Sequence, residues 1–150
     1  MGESLCLLDS NILLRWAQDH DPDYAVVSAA LNALRDAGQS LCYTSQNLGE
    51  FWNAATRPAR QNGFGLSPFE ADKRARSFES RLRLLPDNLA VHEEWRALLV
   101  KYKVSGVQVH DARLAAAMIV HGVPRILTFD CADFARFSEV EAVHPDQFAP

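Results

Sequence analysis

Short apolar segments that alternate with helical patterns are the feature that most limits the folds open to this chain. Four segments are too short for helices and lack the strict alternation of half-exposed strands, namely LCLL at 5–8, SLCYT at 40–44, RILTF at 125–129 and the weaker EAVH at 141–144. Such runs are typical of strands that are buried on both faces of a parallel sheet. The sequence therefore predicts an α/β fold with a mainly parallel central sheet.

Helical periodicity fills the intervals between these strands. Apolar residues at helical spacing predict helices in the stretches 24–37, 48–55, 95–102 and 111–121. The first of these ends at Gly38, which suits the left-handed position after a helix. The motif SPFE at 67–70 predicts a further helix start, because Ser, Pro and Glu occupy the N-cap, N1 and N3 positions.

Length and composition place the chain in an ordinary class. A chain of 150 residues with 48% apolar and 23% charged residues is expected to form one domain, 1–150. No apolar run approaches the ~20 residues that cross a bilayer, and no basic segment precedes the first apolar run, so neither a membrane span nor a signal peptide is expected. Cys6, Cys42 and Cys131 have no metal-binding spacing. Their odd number predicts reduced thiols and a cytoplasmic protein.

Acidic residues follow several of the predicted strands. Asp9 ends the first strand, Asp130 follows RILTF with Asp133 three residues later, and Asp111 begins a helix after VSGVQV. Because ligands of parallel α/β sheets bind outside the carboxyl ends of the strands, these side chains are expected at one edge. Neighbouring carboxylates repel one another, and hard divalent cations that prefer oxygen ligands remove that repulsion. The pattern therefore favours Mg²⁺ or Mn²⁺ and phosphoester chemistry.

Each of these acids also has a purely structural interpretation. Asp9 and Asp111 stand at predicted helix starts, where a carboxylate caps free backbone N–H groups and is favoured by the helix dipole. Glu50 lies well off the apolar stripe of its helix, so periodicity alone predicts a solvated glutamate. The residues by themselves leave both interpretations open.

Four motifs in order carry a resemblance to a known family: LLDSNILLR, NLGEFWNAATRP, VHDARLAAAM and LTFDCADFARF. Together they cover nearly the whole chain and resemble the PIN-domain ribonucleases, above all the VapC-like toxins of bacterial toxin–antitoxin pairs. The resemblance implies a three-layer α/β/α sandwich. It also implies that acidic residues bind Mg²⁺ or Mn²⁺ and that single-stranded RNA is cleaved.

The resemblance assigns roles to particular residues. The catalytic and metal-binding acids would be Asp9, Glu50, Asp111 and Asp130. Asp133, beside the last of these, would be a further ligand, and many relatives carry Asn where this chain has Asp130. Supporting polar groups would come from Ser10, Asn11 and Thr128. By this assignment Glu50 lines the cleft, in contrast to the solvated position that periodicity predicts.

The resemblance also implies a mechanism and partners. Water attack on the RNA would leave a 5′-phosphate and a 3′-hydroxyl, and the protein would form a homodimer inhibited by a cognate antitoxin. The chain has a net charge of −4, which argues against a protein that coats nucleic acid, but residues 57–83 hold seven basic and three acidic residues. Lys73, Arg76 and Arg83 are predicted to lie off the apolar stripe of the helix after Ser67. They would either guide RNA or form a solvated helix face.

Two other functions remain open from the sequence. A haloacid-dehalogenase-like metal phosphatase begins with Asp-x-Asp after a strand, and LLDSN is similar to that start. In this chain, however, Asn11 stands where the second acid would be. The second alternative is a non-catalytic PIN-fold binding module, against which the full set of acids argues.

Overall fold

A five-stranded parallel sheet forms the centre of the structure, a computed structural model that describes residues 4–148. The strands are β1 (Ser4–Leu8), β2 (Gln39–Thr44), β3 (Arg83–Leu85), β4 (Arg125–Leu127) and β5 (Glu141–Val143), in the spatial order β3-β2-β1-β4-β5. All four neighbouring pairs are parallel. This confirms the predicted sheet, with β1 at its centre.

Helices cover both faces of the sheet. In the described part of the chain they are α1 (Ser10–Trp16), α2 (Tyr24–Asp36), α3 (Ser45–Thr56), α4 (Pro68–Arg81), α5 (Leu89–Lys101) and α6 (Val109–His121). Short 3₁₀ turns occur at Ala59–Gln61, Gly106–Gln108, Cys131–Phe134 and Pro145–Phe148. Two predicted helix signals are confirmed: Ser67 and Glu70 form a reciprocal capping box, and Gly38 follows α2 with a φ of +84°.

The side chains of β1 show why the sheet has a layer on each face. Leu5 and Leu7 pack in one apolar cluster with residues of α5 and α6, whereas Cys6 and Leu8 pack in a second cluster with residues of α1–α4. From Leu5 to Leu8 every residue of this strand is buried. The non-alternating apolar run thus reflects burial on both faces, and the predicted three-layer sandwich is confirmed.

The strand β3 was not predicted, and it places Arg83 outside the helix to which the sequence assigned it. The helix α4 ends at Arg81, and Leu82 already has an extended backbone with φ −122° and ψ 152°. Arg83 therefore lies on a strand and not on the helix after Ser67. The strand is only three residues long and lies at the edge of the sheet with two exposed residues, so it lacks the buried apolar run that marks the others.

The strand predicted at 125–129 ends early, and this shortening shapes the site. Pairing in β4 stops at Leu127, although the Thr128 amide still donates to the Val143 carbonyl at 3.0 Å. Asp130 then turns the chain into a 3₁₀ helix. The end of β4 therefore presents Thr128 and Asp130 beside the end of β1.

Two further sequence expectations concern the cysteines and membrane-spanning segments. The cysteines Cys6, Cys42 and Cys131 are free thiols, the first two of them buried. Among residues 4–148, no helix has both the length and the apolar character that a membrane span requires.

Candidate active site

Asp9 connects the central strand to α1 and is almost completely buried, with 7% of its surface exposed. Its Oδ1 atom accepts a hydrogen bond from the Ser10 amide at 2.8 Å. Asp9 therefore caps α1, which confirms the structural interpretation of this residue. Its Oδ2 atom accepts a hydrogen bond from the Thr128 hydroxyl at 2.7 Å. Burial raises the pKa of Asp9, and these hydrogen bonds act against that rise.

A polar network joins the start of α1 to the loop after β4. The Thr128 hydroxyl, which donates to Asp9, accepts hydrogen bonds from the Asp130 amide at 3.0 Å and from Asn11 Nδ2 at 3.3 Å. Asn11 Nδ2 also donates to Asp130 Oδ2 at 3.1 Å, and its Oδ1 accepts from the Phe129 amide at 3.4 Å. Thr128 is fully buried. The network therefore holds Asp9 and Asp130 in one arrangement.

Glu50 approaches this network from α3. The helix starts with a reciprocal capping box between Thr44 and Asn47 at the end of β2, which places Glu50 on its second turn. Glu50 is exposed, as periodicity predicted, but partial desolvation and then the charge of Asp9 raise its pKa. It is thus both solvent-accessible and within electrostatic range of Asp9.

Gln46 holds Glu50 and the start of α6 together. Its Nε2 atom donates to Glu50 Oε1 at 3.4 Å and to the His110 carbonyl at 2.9 Å. Its Oε1 atom is buried without a hydrogen-bond partner. The sequence reasoning missed Gln46, because the only signal for it is its position one helical turn before Glu50.

Asp111 lies in the first turn of α6 rather than at its start. The helix begins at Val109, and the N-cap residue Gln108 makes no side-chain capping bond. The interpretation of Asp111 as a helix cap is therefore wrong. The pKa of Asp111 is raised to about 6, first by burial and then by the charges of Asp133, Asp9, Glu50 and Asp130, in that order. The charges of the four other predicted acids thus all act on Asp111 at one edge of the sheet.

The charges that act most strongly on Asp9, Glu50 and Asp111 are all negative. The nearby Arg113 on α6 is instead paired with Asp87 at 3.3 Å. A cluster of this kind provides only oxygen donors, the ligands that Mg²⁺ and Mn²⁺ prefer.

The positions of the acids limit how such an ion could be held. Among residues 4–148, no three His, Cys, Asp or Glu side chains are arranged to hold one metal ion directly. Mg²⁺ commonly takes one or two carboxylates and keeps several waters, so this donor set fits an ion held partly through water. The side chains that would do so are those of Asp9, Glu50, Asp111 and Asp130, with Asp133 beside them.

The predicted RNA-guiding residues lie on other elements. Lys73 is exposed on α4 with its ammonium 5.6 Å from the centre of the Phe69 ring. Arg76, also exposed, is bound by Asp72 at 2.7 Å. Arg83 lies on the edge strand β3. No hydrogen bond or ion pair joins Lys73 or Arg76 to the five acids in the described residues.

A sequence-family comparison decides the family of this chain. The PIN-domain family model matches residues 6–140. The chain belongs to the PIN-domain family. The match includes all five acids, and a haloacid-dehalogenase-type phosphatase is therefore the wrong class. No curated protein sequence is significantly similar to this PIN-domain chain.

Solved structures with this fold include chains of toxin–antitoxin complexes. A chain of the DNA-bound Rickettsia felis VapBC2 complex is 15% identical, with a TM-score of 0.70 over 93% of this chain and 98% of that one. DNA-bound VapBC from Salmonella typhimurium is 18% identical, with a TM-score of 0.69 over 95% and 98%. Mycobacterium tuberculosis VapC20, a toxin that cleaves the sarcin–ricin loop, is 16% identical, with a TM-score of 0.63 over 88% and 95%. The PIN fold of this chain is thus that of VapC proteins.

Proposed function

We propose that this PIN-domain protein is an endoribonuclease that uses Mg²⁺ or Mn²⁺ to cleave single-stranded RNA. The observation that carries this proposal is a group of five carboxylates at one edge of the sheet. The other four lie within electrostatic range of Asp111, and together with burial their charges raise the pKa of Asp111 to about 6. Such mutual repulsion costs free energy, and a bound divalent cation offsets it. A purely structural site would not need to bring several carboxylates so close together.

The residues of the site have separable roles in this proposal. Asp9, the most deeply buried of the acids, is fixed by Ser10 and Thr128 and gives the cluster its rigid centre. Asp111 and Glu50 are more accessible, so they face the solvent side, where RNA approaches. Asp130, in the loop after β4, is held by a hydrogen bond from Asn11. Together they would bind the ion, with Asp133 as a further ligand.

The chemistry proposed is hydrolysis by water. A bound Mg²⁺ or Mn²⁺ supplies charge stabilisation for the phosphate and lowers the pKa of a water molecule. One of the solvent-facing carboxylates, Asp111 or Glu50, would orient the attacking water and accept its proton. The 3′-oxygen of the preceding nucleotide leaves, so the products carry a 5′-phosphate and a 3′-hydroxyl.

The biological setting proposed is that of a toxin in a toxin–antitoxin pair. This rests on the fold shared with chains of the VapBC complexes and on the motifs described above. A homodimer and an antitoxin that covers the cleft complete the proposal. Co-expression with the gene that neighbours this one would test it, because a cognate antitoxin would restore growth to cells that the toxin arrests.

A cleavage assay tests the proposed activity. Labelled single-stranded RNA is incubated with the protein and Mg²⁺ or Mn²⁺, with EDTA, and with the Asp9→Asn variant. Asp19→Asn, an exposed acid outside the cluster, serves as the matched control. We expect cleavage that requires the ion, at least about a 100-fold loss in Asp9→Asn, and an unchanged rate in Asp19→Asn.

The same assay separates the remaining alternative. A wild-type protein that binds RNA but does not cleave it with either ion would be a non-catalytic PIN-fold binding module. Cleavage that survives both EDTA and the Asp9→Asn substitution would refute the metal-dependent nuclease. A product with a 3′-phosphate would contradict direct water attack.

A further inference from the structure

A polar pocket of about 310 Å³ lies between α1, α2 and the carboxyl-terminal end of α4. Its walls include the aromatic residues Trp16 and Tyr24, the small polar residues Ser28 and Asn32, and two basic residues, Arg35 and Arg81. None of the five acids of the candidate active site lines it. We call it the Arg35–Arg81 pocket.

Both arginines of the pocket are held against the same aromatic ring. The guanidinium carbon of Arg81 is 4.2 Å from the centre of the Trp16 ring, and that of Arg35 is 5.6 Å away. Arg81 is fixed further, since its Nη2 and Nε atoms donate to the hydroxyl and carbonyl of Ser77 at 2.7 and 3.4 Å. Cation–π contact orients a guanidinium without neutralising it. The two side chains therefore keep their charge and free N–H donors.

The positive charge of the pocket is uncompensated. Among residues 4–148, neither Arg35 nor Arg81 is in an ion pair, whereas Arg15 on the same layer is bound by Asp21 at 3.0 Å. The pocket has no carboxylate in its walls. The Ser28 hydroxyl beside it is buried without a hydrogen-bond partner. This set of donors matches an anion with several oxygen acceptors, such as a phosphate group.

The helix α1 connects this pocket to the acids. It begins directly after Asp9 and ends at Trp16, and its seven residues span roughly 10 Å. An RNA strand that crosses the acids is therefore within reach of the pocket. The Trp16 ring is already in contact with both arginines and stacks on Phe78 at 5.7 Å, so the pocket offers a phosphate-binding surface rather than a platform for a base.

We propose that the Arg35–Arg81 pocket binds a backbone phosphate of the RNA substrate, away from the bond that is cleaved. That the bound strand is RNA rests on the proposed function. That the pocket binds an anion rests only on the residues that line it. A protein with a net charge of −4 and a strongly acidic centre needs a concentrated positive site to attract RNA. The pocket provides that attraction independently of a bound cation.

RNA binding in EDTA tests this inference separately from cleavage. Fluorescence anisotropy of a labelled single-stranded RNA is measured over a range of salt concentrations with the full chain. We expect Arg35→Gln/Arg81→Gln to weaken binding about tenfold at low salt. We also expect the slope of log affinity against log salt to fall by about 0.7, the contribution of one phosphate. Arg35→Lys/Arg81→Lys retains the charge and should keep most of the slope.

Matched controls make the result decisive. Arg96→Gln/Lys103→Gln removes two exposed charges at and beyond α5, in the opposite helical layer, and should leave the slope unchanged. A pocket variant that behaves like this control overturns the inference. So does a pocket variant that loses binding to a glutamate-rich peptide while its RNA slope stays the same, since the pocket would then be a protein-binding surface. Neither result bears on metal-dependent cleavage. If cleavage were absent, the salt dependence of RNA binding could still be measured and would still test the pocket.

Discussion

The two ends of α1 lie in environments of opposite charge. At its start, Asp9 lies in a group of acids, and negative charges of this group raise the pKa values of Asp9, Glu50 and Asp111. At its end, Trp16 lies against two arginines that have no acidic partner among the described residues. Each end keeps like charges together, which costs stability unless a ligand of opposite charge is bound.

The difference between the ends is in how rigidly each is held. The acidic end is tied by hydrogen bonds that cross from α1 to the end of β4, through the fully buried Thr128. The basic end is held by ring contacts and by the hydroxyl of Ser77, on side chains that remain exposed. Chemistry at a bond requires the first kind of arrangement, and attraction of a flexible polymer requires only the second.

Removing one charge at the acidic end should have the largest effect of all the changes considered. We expect Asp111→Asn to lower RNA cleavage at least about 100-fold in Mg²⁺, because it removes a proposed ligand and proton acceptor. In EDTA the same variant should be more stable than the wild type by about 1 kcal/mol, after allowance for solvent screening of a half-exposed group. Thermal unfolding with and without Mg²⁺ measures this. A variant that is less stable in EDTA would show that Asp111 has a structural role.

The same cluster predicts how stability depends on pH. Because the pKa of Asp111 is raised to about 6 in the folded protein, the folded state holds this proton more tightly than the unfolded state does. Its stabilising contribution is therefore complete below about pH 4 and lost as the pH rises through about 6. Asp9 and Glu50, whose pKa values are also raised, act in the same direction. Denaturant unfolding in EDTA should show this loss, and Asp111→Asn should reduce it.

Rigidity at the acidic end can be tested through Thr128. Thr128→Val keeps the shape of the side chain but removes the 2.7 Å hydrogen bond to Asp9 and the acceptor for the Asp130 amide. We expect a loss of about 1–3 kcal/mol in the free energy of unfolding, with a fall in cleavage rate. Thr128→Ser retains the hydroxyl and serves as the control. Equal stability of the valine and serine variants would contradict the role given to this network.

Gln46 offers a milder change at the same end. We expect Gln46→Ala to lower the cleavage rate about tenfold while RNA affinity in EDTA stays the same, because the residue positions Glu50 and does not contact RNA. Gln61→Ala, at an exposed position outside the site, is the control. A change in the salt dependence of RNA binding in Gln46→Ala would mean that Gln46 contacts the strand instead.

How much of this site the sequence could predict depends on the kind of signal. Asp9 and Asp130 directly follow apolar runs, so the rule for strand ends located them without knowledge of the family. Periodicity predicts that Glu50 lies on a solvent-exposed helix face, and in the structure Glu50 is exposed. Its proximity to Asp9 depends on how α3 leaves the end of β2, which no periodicity encodes. The resemblance was needed to include it.

The parts of the fold that the sequence did not predict are those without local patterns. The edge strand β3 has three residues, two of them exposed, so it gives no apolar run. The start of α6 at Val109 also differs from the predicted start at Asp111, because the N-cap residue Gln108 has no capping side chain to mark it. The Arg35–Arg81 pocket brings together three helices, and its charge pattern becomes visible only after folding.

The smallest expected effect concerns the basic residues of α4, and it sharpens the contrast between paired and unpaired charge. Arg76 is bound by Asp72, so Arg76→Gln should change the salt dependence of RNA binding little. Lys73 has no carboxylate partner among the described residues, and Lys73→Gln should lower the slope by at most about 0.7, the value for one phosphate contact. If Arg76→Gln lowers the slope as much as Arg35→Gln/Arg81→Gln does, attraction of RNA follows total charge and not its local pairing.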